Sequence, residues 1–106
     1  MAKFLIAATY SVDGLKGLMK DGGTGRRAAI EELLKSVDGS LECLYYAFGG
    51  KDAYLVVDAP SNEAVAAVAM VVGAAGGASV ETTVLLTPEQ VDAARCLTPQ
   101  YRPPGG

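Results

Sequence analysis

The chain has 106 residues, half of them apolar and a fifth charged, with a formal net charge of −3; one core is the expectation, in an ordinary folded domain rather than a disordered one. A negative net charge also argues against a protein that neutralises nucleic-acid phosphates, so no nucleic-acid partner is expected. Histidine is absent, which excludes a histidine-dependent triad, histidine metal ligands and a histidine-ligated haem.

The two cysteines, Cys43 and Cys96, lie far apart and belong to no CxxC pair or metal-ligand spacing. Neither a metal nor a cofactor is expected, and a reduced, cytoplasmic setting fits. The opening "MAKFLIAATY" lacks the longer apolar core of a signal peptide and reads as a first strand over residues 3–10. Ser11 then caps a short helical piece in which Val12, Leu15, Leu18 and Met19 recur at helical spacing. The glycine-rich stretch "KDGGTGRR" (20–27) interrupts it, and Thr24 is the expected N-cap of the main first helix. There Ile30, Leu33, Leu34 and Val37 form one apolar stripe, and Gly39 marks the end.

"SLECLYYAF" (40–48) and "DAYLVVDA" (52–59) read as two strands joined by a short "GGK" turn, a hairpin signal. Pro60 and Ser61 open a second helix. The uncharged run 64–80 nearly reaches membrane-spanning length, but Gly73, Gly76 and Gly77 interrupt it and it has no basic flank. It reads as a buried helix and a turn, with no membrane partner. "ASVETTVLL" (78–86) is a fourth strand, and "TPEQ" (87–90) is a capping box with proline at the first helical position. A short third helix to about Cys96 and an extended tail, "TPQYRPPGG", complete the chain.

The order strand, helix, strand, strand, helix, strand predicts an α+β fold, a ferredoxin-like βαββαβ arrangement with a four-stranded antiparallel sheet and both helices on one face. The domain spans 1–97 and the tail 98–106. Tyr54 to Val57 and Val84 to Leu86 are apolar at consecutive positions, so both faces of the sheet carry apolar side chains. The second helix, with "AVAAVAMVV", is apolar all round. Together these predict a homo-oligomer, at least a dimer with sheets packed face to face; cover by another protein is the alternative.

The segments "GGTGRRAAIEELL", "LYYAFGGKDAYLVVDAP", "LLTPEQVDAA" and "YRPPG" resemble those of the GYD domain family over nearly the whole chain. The resemblance implies a dimeric α/β-barrel association and no particular reaction. The chain departs from the motif behind the family's name, reading "GGKD" with Lys51 at the position of the expected tyrosine.

In the predicted topology ten of the thirteen glycines fall in three connections at one end of the sheet. Glycine permits close approach of the backbone, so a ligand or a neighbouring subunit can come nearest there. Arg26 and Arg27, in the first turn of the main helix, oppose its dipole and need a partner: either a bound anion, or Asp21, Asp52 or a carboxylate of a second subunit. No GxxxxGK[ST] or GxGxxG pattern is present. Tyr10, Tyr46 and Tyr54 are candidate ligand contacts at that end, against the alternative of core tyrosines with satisfied hydroxyls. Asp52 is a candidate general base, or else a turn residue accepting backbone hydrogen bonds.

Three functional classes follow. The first is a small oligomeric binding or structural protein with a small-molecule or anion site at the glycine-rich end. The second is a cofactor-independent oxidoreductase, similar to small monooxygenases of the dimeric α/β-barrel class, with Asp52 as base. The third is a scaffolding oligomer in which Tyr101 and Arg102 of the tail clasp a neighbour.

Overall fold

Phe4, Ile6 and Ala8 alternate with Leu5, Ala7 and Thr9, so the first strand, β1 (Ala2–Tyr10), has one fully dry face. In the computed structural model, which describes residues 1–106, β1 is followed by α1 (Val12–Lys35), β2 (Ser40–Tyr46), β3 (Ala53–Ala59), α2 (Asn62–Ala75), β4 (Ala78–Leu85) and α3 (Pro88–Arg95). The strands form one antiparallel sheet in the order β2-β3-β1-β4, and α1 and α2 cover one face of it. This is the predicted ferredoxin-like arrangement.

The core lies where the dry faces of β1 and β3 meet the helices. Phe4, Ile6, Leu55, Val57 and Ala59 pack against Leu34 of α1 and Val65 and Val68 of α2. Phe4, Leu34 and Val57 are the largest side chains fully withdrawn from water, each worth about 1.5–3 kcal/mol relative to exposure. The opposite face carries Leu5, Ala7, Cys43 and Val56, half-buried, with Tyr45 and Tyr54 exposed. Its far end is charged: Lys3 Nζ lies 2.9 Å from both Glu42 and Asp58. Glu42 reaches Lys3 from an irregularity in β2, where the register shifts between Leu41 and Cys43.

Several local expectations shift. The helical ladder of α1 breaks at Gly22 (φ 75°, ψ 164°), so the interruption falls two residues before the Thr24 cap predicted from sequence. Only glycine adopts that backbone conformation readily. On the first segment Gly14, Gly17 and Leu18 turn inward while Val12, Leu15 and Met19 are exposed, so three of the four apolar residues predicted as a stripe there face solvent. At the other end of α1, Asp38 takes the left-handed conformation (φ 60°), and the Gly39 N–H donates back to the Leu34 carbonyl at 2.8 Å. The hairpin strands are shorter than predicted, ending at Tyr46 and beginning at Ala53, although the Asp52 backbone still bonds both neighbours: its carbonyl accepts from Ala47 N–H and its N–H donates to Ala8 O.

Ser61 caps α2, and the predicted Thr87/Gln90 capping box opens α3. From Pro88 to Gly106 every residue is exposed, including Val91, Leu97 and Tyr101. This arm stretches the molecule to 56 × 32 × 22 Å, with a radius of gyration of 16.8 Å against about 13 Å for a compact chain of this length. No helix is long and apolar enough to cross a membrane.

Candidate functional site

The register brings three connections to one end of the sheet, as the topology predicted: Tyr10 of β1 lies opposite Ala78 of β4, and Tyr46 of β2 opposite Ala53 of β3. The β1–α1 and α2–β4 connections are tied together there. The Gly77 carbonyl accepts from the Ser11 N–H at 3.0 Å and from the Ser11 hydroxyl at 3.2 Å. Gly14 comes so close to this turn that a Cβ on it would stand 1.8 Å from the Gly77 oxygen.

Behind this junction α1 and α2 share one face of the sheet with few close backbone approaches between them, and the space they enclose with the sheet is a cavity of about 80 Å³. Its walls are apolar: Ile6, Ala8, Leu55 and Val80 from the strands, Ile30 and Leu33 from α1, and Val68, Ala69 and Val72 from α2. Arg26 is the one charged residue on its lining, and Tyr10 stands beside it. A second, more polar hollow of about 280 Å³ continues outward past Gly14, Gly17 and Asp21, sharing Tyr10, Arg26, Val72 and Ala78 with the first. A dry pocket with few polar groups at its mouth is the usual form of a small-ligand site.

The structure sorts the candidate residues into separate places. Tyr10, Arg26 and Tyr46 gather on the helix side of the sheet. The Tyr46 hydroxyl donates to the Gly23 carbonyl at 3.1 Å, and its ring lies where a side chain at Gly23 would touch it. Burial pushes the Tyr46 phenol above its ordinary range, helped by the neighbouring Tyr10, while Arg26 and Arg27 pull the other way. Arg26 has a weak partner within the chain, Asp21, at 3.8 Å. Arg27, one position on, instead lines a shallow surface depression with Glu31 and β2 residues from Leu41 to Tyr45.

Tyr54 lies on the opposite face of the sheet, 42% exposed. Asp52 brackets the hairpin to β1: its carboxylate accepts from the Tyr10 N–H at 2.8 Å, and it is not among the cavity-lining residues. Lys51, in the place of the tyrosine expected from the family motif, pairs with Glu81 of β4 at 2.8 Å. No group of three or more cysteine, aspartate and glutamate side chains is arranged to hold a metal ion.

Sequence reasoning missed the α2 side of the cavity. Val68, Ala69 and Val72 look like any core stripe, and their only distinguishing signal is the small side chain of Ala69 where a filled core would place a larger one.

The family model for the GYD domain matches residues 4–94. The chain belongs to the GYD domain family. No curated protein and no solved structure matches it.

Proposed function

We propose that this member of the GYD domain family is a homo-oligomeric binding protein that holds a small, largely apolar molecule between its two main helices and its sheet. The observation that carries this reading is the apolar cavity between α1, α2 and the sheet, opening at the glycine-rich end. A gap lined by aliphatic side chains forfeits dispersion contacts and favours an apolar occupant over water. At about 80 Å³ it is smaller than the roughly 150 Å³ cavity known to admit benzene, so it suits a short chain better than a ring. Catalysis is not needed to account for any of these features.

The test uses 1-pentanol as a neutral probe, titrated into isotopically labelled protein and followed by NMR. Shifts are expected at Val68, Val72 and Val80 and are expected to vanish in Ala69→Leu, whose side chain fills the cavity. Shifts elsewhere, or shifts unchanged in Ala69→Leu, would refute the reading.

Self-association is supported by surface area. The chain exposes 7268 Å² for a mass of 10.9 kDa, whereas a monomer of that mass ordinarily exposes ~5,600 Å². The excess of roughly 1,700 Å² falls within what each partner of an obligate dimer buries. Exposed Val12, Met19, Phe48, Met70, Leu97 and Tyr101 supply apolar surface to cover. A native mass spectrum at micromolar concentration should show a dimer or a higher multiple, and removal of residues 98–106 should weaken it. A monomer under those conditions would overturn the oligomeric part of the reading.

A further inference from the structure

Resting on the cavity reading above, we propose that the ligand is a short aliphatic carboxylate, its chain lodged between α1 and α2 and its carboxylate on Arg26. Arg26 is the only residue with a full charge on the inner cavity, and it also lines the outer hollow, so it stands where one opens into the other. Its partner within the chain, Asp21, is 3.8 Å away and forms no hydrogen bond with it. Most of the guanidinium's five donors are therefore free to take a ligand. Arg27, on the same turn, lines the separate depression beside β2, and Asp21 is the one acid on the outer hollow.

This arrangement selects among ligand classes. A cation would meet Arg26 at the mouth and is disfavoured. An entirely apolar molecule would leave the guanidinium facing hydrocarbon. A singly charged, planar carboxylate matches the fork of one arginine, which can donate two parallel N–H bonds to it. A phosphate ester carries more charge than a single arginine beside an aspartate is suited to balance. The narrow inner cavity then sets the other end of the ligand: an unbranched chain of a few carbons, with Tyr10 at the neck.

The experiment compares the alkanoates from butanoate to octanoate with the alcohols of equal chain length, by NMR titration of labelled protein that includes the arginine side-chain resonances. The acids are expected to bind at least about tenfold more tightly than the matching alcohols, as a charge-assisted hydrogen bond requires. Affinity should rise about fourfold per methylene until the cavity is full, then level off. Arg26→Gln should remove the preference for the acid while leaving alcohol binding in place, and Asp21→Asn should strengthen acid binding by freeing Arg26.

Equal binding of acid and alcohol by the natural protein would overturn the carboxylate assignment and leave the cavity reading standing. Acid binding that persists in Arg26→Gln, or that shifts Arg27 and not Arg26, would also overturn it. Absence of binding by both series would overturn it together with the cavity reading.

Discussion

Replacing Gly14 by alanine tests the junction that holds the mouth of the cavity in place. The added Cβ would stand 1.8 Å from the Gly77 carbonyl oxygen and 2.7 Å from its carbon. Both atoms are backbone, so no side chain can rotate away and the first segment of α1 must separate from the α2–β4 turn. That oxygen accepts two hydrogen bonds from Ser11, together worth about 2 kcal/mol, and the forced repacking costs about 1–3 kcal/mol more. Alanine's better helix propensity offsets about 1 kcal/mol, leaving a net loss of about 2–4 kcal/mol. For a domain of this size the melting temperature should fall on the order of 10–30 °C.

The control is Gly17→Ala on the same segment, where a Cβ would meet nothing within 4 Å; it should stabilise by about 0.4–1 kcal/mol. Both variants are compared by thermal unfolding at one protein concentration, because association makes Tm concentration-dependent. A Gly14→Ala protein melting within about 3 °C of the natural one would refute the reasoning. So would a Gly17→Ala protein equally damaged, because the requirement would then be for flexible glycine and not for close approach.

Other consequences are as direct. Asp52→Ala removes the acceptor for the Tyr10 N–H and should cost about 1.5–3 kcal/mol in urea unfolding, while Asp52→Asn, which keeps an acceptor oxygen, should cost less. Equal losses in the two would show that the carboxylate does not bracket the hairpin as described. The alkaline limb of stability should depend on two groups. The Tyr46 phenol is raised above 10.0 by burial and by Tyr10, and the Lys3 ammonium is raised above 10.5 by its hydrogen bonds to Glu42 and Asp58. A folded-state pKa above the unfolded value means that the folded protein holds its proton longer. Each contribution is therefore complete below the unfolded pKa and lost as pH rises through the folded one. Tyr46→Phe and Lys3→Met should each flatten the fall of the urea midpoint across about pH 9 to 12, and an unchanged limb in the double variant would contradict both assignments.

Much of the architecture was legible because it is written in short-range pattern. The alternation in β1, the apolar stripe ending at Val37 and the Thr87 to Gln90 capping box each fix local geometry within a few residues. Once six elements are in order, the antiparallel sheet follows, and so does the convergence of Tyr10, Tyr46 and the glycine-rich connections at one end. The glycine-rich stretch read as an interruption in the helix, and Gly22 is that interruption.

What the sequence did not determine depends on how elements sit against one another. Nothing local shows how α1 and α2 are spaced over the sheet, so nothing local shows that Val68, Ala69 and Val72 wall a cavity rather than fill a core. Arg26 and Arg27 are neighbours in the chain, yet successive helical positions point about 100° apart. One therefore reaches the cavity mouth and the other an outer depression beside β2. Tyr54 and Tyr46 belong to paired strands, but strand alternation sends their side chains to opposite faces. Residue type and periodicity thus determined which elements form and in what order they pair; packing distance and side-chain direction, which are tertiary quantities, decided which of their residues share a site.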